Sequence, residues 1–263
     1  MRDGEEPAAE NSGGTGPDPA AADPAAENSR DTAPDPEPAE ADRQLLARIR
    51  AAPVLAGPLP RFDPERAPAA PGPLLAGWLD RALADGLTEP HVMTLSTAAP
   101  DGTPSARVLM LRGVDSADCA VLFTGDARSG KGRDLAANPV AAATFYWPAH
   151  GRQIRLTGPV TALGAEAAWR DFLGRGPGSR AAAFTGTISA PLASPEEYAR
   201  ERLAAEALVS AEPDRVPEWH TVYRLRADEA EFFQADPDHV HRRLRYTRQT
   251  RAEGGWARTL LWP

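Results

Sequence analysis

The residues of this chain best suited to chemistry cluster in one loop, Gly125-Asp-Ala-Arg-Ser-Gly-Lys-Gly132. Lys131 is the only lysine among 29 lysine and arginine residues, and its run falls one residue short of the G-x-x-x-x-G-K-[ST] loop of nucleoside triphosphatases. That loop needs a hydroxyl after its lysine, because the hydroxyl ligates magnesium. Gly132 has none, and no apolar strand ending in aspartate follows to supply the second metal-binding part. Triphosphate chemistry is therefore not expected. A broader inference survives. Strand, tight turn, lysine and helix start bring backbone N–H groups and one cation together, which suits an anion. The alternative is a solvated lysine in a surface turn.

Other candidates are more scattered. Arg175 and Ser179, in "GRGPGSR", can hold an anionic group or belong to a mobile loop. On a strand, His239-x-His241 would point both rings to one side, as a metal pair does. No third ligand is tied to them by spacing, so no metal is expected. Trp147 and Trp219 read as core or interface aromatics. The run "RRLRYTR" is weak ground for nucleic-acid binding on a near-neutral domain. Cys119, the lone cysteine, excludes an internal disulfide and reads as a buried small hydrophobe in "DCAVLFTG".

The elements that must position these residues begin after an acidic segment. Residues 1–42 hold 12 acidic and 2 basic residues and no Leu, Ile, Val or aromatic residue, a composition expected to stay disordered. The full chain carries a net charge of -8, so the remainder is close to neutral. Residues 43–73 read as a Pro-rich arm that opens on a short helix or extended segment, and 74–263 as the folded domain. Leu75, Trp78, Leu79, Ala82 and Leu83 have helical spacing, ending at Gly86. The period then changes to two. Asp101-Gly102 marks a hairpin, "CAVLFTG", "VAAATFYW" and "RQIRLTGPVTAL" read as strands, and "GRDLAANP" as a short helix. Two further helices follow, the second capped by Ser194 with Glu197 three residues on, and "HTVYRLRADEAEFFQ" and "WARTLLWP" supply the last strands. Short strands joined by hairpins argue for a mainly β (α+β) fold, an antiparallel barrel with appended helices. No apolar run approaches membrane-spanning length and no signal-peptide core is visible, so the expectation is a soluble cytoplasmic protein with no membrane partner.

The stretches "EPHVMTLSTAAPDGTPSARVLMLRG", "GKGRDLAANPVAAATFYWPAHGRQIRLTG" and "EFFQADPDHVHRRLRYTR", with the final "LLWP", carry a family likeness. From about Leu75 to Pro263 the chain resembles the pyridoxine/pyridoxamine 5′-phosphate oxidase family of FMN-binding split-barrel proteins. It resembles their phenazine-biosynthesis branch about equally well. The resemblance implies an antiparallel split β-barrel with flanking helices, and a homodimer with FMN at the subunit interface. It assigns the flavin phosphate to Arg107, which opens the segment Val108, Leu109, Met110, Leu111 and Arg112, and to Lys131 beside Gly130. It also assigns flavin contacts to Thr124 with Gly125, and to Gln153, Ser189, Phe233 and Arg243. Three of these positions depart from the oxidases. Gly130 stands for a second arginine, Ile188 for a glutamine before Ser189, and Phe233 for a tryptophan.

The implied substrate site departs further. Its positions read Arg112, Asp171, Arg175, Ser179, His239 and His241, where the vitamin oxidases have Lys, Tyr, Arg, Ser and Arg-x-His. A carboxylate at 171 repels a phosphate unless a cation stands between them. The resemblance thus implies an FMN-dependent oxidase acting on a small anionic, nitrogen-containing substrate. A hydride passes to flavin N5, O2 reoxidises the flavin, Arg175 grips the substrate, and His241 orients or deprotonates it. The vitamin reaction itself is the alternative, and a non-catalytic flavin- or ligand-binding barrel is a third.

Overall fold

The computed structural model describes residues 39–55, 57–250 and 254–263. The acidic segment expected over 1–42 lies outside the described residues as far as residue 38. The chain divides into two compact units, Met1–Ala52 and Pro53–Pro263. The first contains helix α1 (Glu40–Ala51), acidic in its first turn and basic in its last, the polarity that complements a helix dipole. Pro53 ends it by forcing Ala52 into the extended region.

In the second unit α2 (Pro71–Ala84) leads into β1 (Val92–Ala98), β2 (Pro104–Met110), β3 (Gly113–Asp115) and β4 (Ala120–Asp126). Helix α3 (Gly130–Ala137) precedes β5 (Val140–Trp147) and β6 (Arg152–Ala162). Three helices follow, α4 (Ala165–Leu173), α5 (Pro177–Ala182) and α6 (Pro195–Ala211). The unit closes with β7 (His220–Arg226), β8 (Glu229–Gln234), β9 (Arg242–Arg248) and β10 (Trp256–Leu260). Every strand pairing is antiparallel, and the main path runs β10-β9-β8-β6-β5-β1-β2. This is the antiparallel barrel with appended helices that the short strands and turns suggest, in the split form that the family resemblance implies.

β6 is the hinge of the architecture. Its first half pairs with β8 over Arg152–Thr157, and its end, Val160–Ala162, pairs with β7 instead. Gly158 sits at the change of partner, where a β-carbon would collide with the carbonyl of Arg226. Only glycine lets the two backbones meet there. The β1–β2 turn forms where Asp-Gly stands: the Asp101 carboxylate accepts from the Thr103 N–H at 2.9 Å, and Gly102 takes φ +85°.

The core fills the barrel with Met93, Leu95, Phe123, Phe145, Ile154, Leu156, Leu225, Phe232, Leu244 and Tyr246. α2 caps it through Trp78, whose ring meets Phe232 edge-on at 5.3 Å. Leu75, Leu79 and Ala82 are buried with it, whereas Leu83 is 53% exposed, so the apolar stripe is narrower than its spacing suggests. "RRLRYTR" becomes β9. Leu244 and Tyr246 point into the core, while Arg243 and Arg245 pair with Glu231 and Glu229 of β8. No helix among the described residues is long and apolar enough to cross a membrane.

Candidate functional site

The glycine-rich loop links β4 to α3 and is built from its own side chains outward. The buried Asp126 carboxylate accepts from the Arg128 N–H and guanidinium and holds the turn. Ser129 caps α3. Its hydroxyl donates to the Asp126 carbonyl at 2.6 Å and accepts from Lys131 Nζ at 3.2 Å and from the Gly132 N–H. A β-carbon at Gly132 would collide with the Ala127 carbonyl, so the hydroxyl a triphosphatase needs has no room here. The ammonium stem of Lys131 lies over Gly125, where any side chain would displace it. Gly130, in contrast, opens onto free space.

Lys131 is buried, and burial together with the charge of Arg107 lowers its pKa, with Asp126 only partly opposing. Arg107 comes from β2, on the face shared with Leu95. Its guanidinium donates to the Leu95 and Ser105 carbonyls and to the Thr97 and Ser105 hydroxyls. Its acidic neighbour among the described residues is Asp134 of α3, 3.8 Å away and itself accepting a 2.6 Å bond from Thr97. Two cations thus repel each other across a partly buried gap at the start of a helix, an arrangement that an anion relieves.

Lys131 opens into a cavity of about 280 Å³. Its walls include Leu109, Thr124, Gly125, Lys131, Arg175 and Ser179 among the residues expected at the site, and Asp126, Trp219 and His220 besides. Val108 and Met110 alternate to the outer face of β2, 67% and 55% exposed. At the far wall Arg175 Nη2 donates to Thr124 Oγ1 at 2.7 Å and to Asp171 at 2.7 Å. Asp171 also accepts from Arg112 at 2.8 Å and from His220 Nε2 at 2.9 Å. Burial pushes the Asp171 carboxyl up, but the Arg112 bond, the Arg175 charge and the His220 bond outweigh it and hold the group below the usual carboxylate value. Burial lowers the His220 pKa, and Arg175 adds to the effect against the pull of Asp171. His220 and Asp126 carried no signal in the sequence, since their partners are set by the fold. Trp219 lies on the cavity wall with Arg128 stacked 3.7 Å from its ring centroid.

The remaining expected residues form a second group. Gln153, Phe233 and Arg243 are register partners across β6, β8 and β9, on the face opposite the buried row Ile154, Phe232 and Leu244. Arg243 is bound to the buried Glu231 at 2.9 Å, and the His241 ring lies 5.3 Å from Phe233. None of these residues lines the cavity of Lys131. His239 and His241 lie in the loop before β9, not on a strand: β8 ends at Gln234, and His239, whose N–H donates to the Asp236 carbonyl at 3.0 Å, closes a turn with φ +62°. Their rings still approach to 5.9 Å. His241 Nδ1 accepts the Asp236 N–H at 3.0 Å, which leaves the proton of the neutral ring on Nε2. Ser189 also has a positive φ, +67°, beside Ile188 on the cavity wall.

Known proteins share this fold and much of this sequence. Residues 79–220 match the family described as pyridoxamine 5′-phosphate oxidase, and 220–263 match the pyridoxine 5′-phosphate oxidase C-terminal dimerisation region. The pyridoxine/pyridoxamine 5′-phosphate oxidase of Burkholderia multivorans is 39% identical over 205 residues, 77% of this chain and 94% of that protein. Its counterpart in Bordetella petrii is 40% identical, over 76% of this chain and 92% of its own. Among solved structures, PhzG of Burkholderia lata, in complex with tetrahydrophenazine-1-carboxylic acid, aligns at TM-score 0.73 with 30% identity, covering 79% of this chain and 100% of that one. A pyridoxamine 5′-phosphate oxidase-related FMN-binding protein of Nostoc punctiforme shares the fold at TM-score 0.60 and 19% identity, over 76% and 100%. With residues 79–263 matched by the two family descriptions and relatives of 39–40% identity covered almost in full, the chain belongs to the pyridoxamine 5′-phosphate oxidase family of oxidoreductase flavoproteins.

Proposed function

We propose that this protein is a homodimeric, FMN-dependent oxidase acting on a small, anionic, nitrogen-containing heterocycle. The observation that carries the proposal is the cation pair Arg107 and Lys131 at the head of α3, one of them buried with a single hydrogen bond to a hydroxyl. A phosphate monoester brings nearly two negative charges to such a pair. Arg107, Lys131 and the first N–H groups of α3 would hold the FMN phosphate, and Leu109 and Thr124 would border the cavity beyond it. Bound FMN supplies the redox chemistry, accepting an electron pair from a C–H bond beside nitrogen and passing it to O2.

The chain's own residues bind and orient. Arg175 and Ser179 grip the anionic group of the substrate, and Thr124 steadies Arg175. Gln153, Phe233 and Arg243 form a second wall, contributed by the partner subunit, with Phe233 and Arg243 in the dimerisation region. Because Nδ1 of His241 is already an acceptor, its neutral ring offers Nε2–H. It therefore orients substrate by donation and does not abstract a proton.

Two readings of the substrate remain. A phenazine-type carboxylic acid is supported by the PhzG likeness and by Asp171 at the grip. Oxidation of pyridoxine or pyridoxamine 5′-phosphate is supported by the names of relatives 39–40% identical to this chain. The first test is the visible spectrum of the purified chain after addition of FMN and gel filtration. Wild type should retain the flavin bands, and Lys131→Ala should bind FMN at least about tenfold more weakly. Equal retention by the variant, or no retention by wild type, would reject the flavin site. With flavin held, anaerobic bleaching by pyridoxamine 5′-phosphate or by a reduced phenazine carboxylate then separates the two substrates.

A further inference from the structure

The Asp171 carboxylate accepts from three side chains. Oδ1 accepts from Arg112 Nε at 2.8 Å, and Oδ2 accepts from Arg175 Nε at 3.0 Å, from its Nη2 at 2.7 Å and from His220 Nε2 at 2.9 Å. Its side chain is 12% exposed and that of Arg175 17%. Both oxygens are engaged, so the carboxylate cannot turn away, and four donated hydrogen bonds keep it ionised. Arg175 is also the cation on this wall of the cavity, beside Ser179 and the Thr124 hydroxyl. Two guanidinium charges against one carboxylate leave one net positive charge.

We propose that Asp171 determines specificity by setting this end of the cavity for a singly charged carboxylate and against a dianionic phosphate monoester. The inference rests on the reading of the cavity as the substrate site, in which the Lys131 charge is taken by the FMN phosphate. A carboxylate accepting from Arg175 balances the residual charge and matches the guanidinium fork. A phosphate dianion bound by the same guanidinium carries a second negative charge beside Asp171, with no cation left to meet it. His220 is a positioning residue here: it anchors Oδ2 and, as a neutral ring, adds no charge of its own.

The test uses the full chain saturated with FMN, with flavin content read from the spectrum, and two inert probes of the same ring, 1-naphthoate and 1-naphthyl phosphate, titrated calorimetrically at pH 8. Wild type should bind 1-naphthoate at least about tenfold more tightly than 1-naphthyl phosphate, and Asp171→Asn should reverse or erase that preference. If Asp171→Asn fails to fold, Arg112→Gln changes the charge in the other direction. It should weaken both probes and widen the preference for the carboxylate. Equal binding or a phosphate preference in wild type, or a preference unmoved by either substitution, overturns the proposal. Flavin retained without the preference rejects Asp171 alone. A chain that takes up no FMN rejects the site reading and this proposal together.

Discussion

At the scale of single residues, the glycines around Lys131 are not interchangeable. Gly132 is fixed by the Ala127 carbonyl and Gly125 by the lysine stem, whereas Gly130 faces open space at the first turn of α3. Gly130→Arg therefore fits without repacking and adds a third cation to the phosphate end of the cavity. Its expected effect is FMN affinity higher by about tenfold, since hydrogen bonds to charged groups contribute most in such sites. Quenching of flavin fluorescence on titration measures it. An unchanged affinity would mean that the phosphate lies elsewhere. The lone lysine drew attention to this loop because everything around it is local: turn, cap and cation lie within eight residues. The Asp171–His220 bond joins residues 49 apart, and each side chain in isolation is unremarkable. No spacing rule could have united them.

At the scale of elements, legibility follows how local the deciding interaction is. The β1–β2 hairpin was readable because Asp-Gly specifies its own turn, and α2 because five apolar residues repeat at helical spacing. β9 was harder, since its four arginines hide Leu244 and Tyr246, and three of those charges, on Arg243, Arg245 and Arg248, meet acids on β8 and at Asp118 and Asp228 only once the sheet has formed. α5 was missed because it is one short turn-and-a-half opened by Pro177-Gly178. The His239–His241 segment is a loop and not the strand that would have aligned its rings, and nothing in composition marks the positive φ of its turn. β6 offers the sharpest test of the barrel. Gly158→Ala forces a β-carbon against the Arg226 carbonyl where β6 leaves β8 for β7, at an expected cost of about 1–3 kcal/mol. Gly77→Ala, exposed inside α2 with nothing near its β-carbon, should stabilise by about 0.5–1 kcal/mol. Urea denaturation of both variants checks the pair, and equal shifts would contradict the close approach at Gly158.

At the scale of the whole molecule, the site residues fall into two groups that do not share a cavity. The cavity of Lys131 draws on β2, β4, α3 and the segment from Arg175 to Ile188, whereas Gln153, Phe233, Arg243 and His241 lie along β6, β8 and the approach to β9. The second group falls mostly within the stretch matched by the C-terminal dimerisation region, residues 220–263. If one complete site takes its cavity from one subunit and its outer wall from the other, damage can be sorted between chains. Lys131→Ala and Arg243→Ala homodimers should each lose FMN, because every site then lacks either its phosphate cation or its wall. Co-expressed, the two variants form mixed dimers in which one site collects both defects and the other collects none. Random pairing makes half the dimers mixed, so flavin content should recover to roughly one quarter of wild type. Tagging the two chains differently and purifying through both tags enriches the mixed dimer and should raise recovery to about one half. A site built within one chain gives no recovery in either preparation, since every chain carries one defect. Recovered flavin would therefore show that Arg243 serves the cavity of the neighbouring subunit, and the dimer would be the smallest unit able to hold the cofactor.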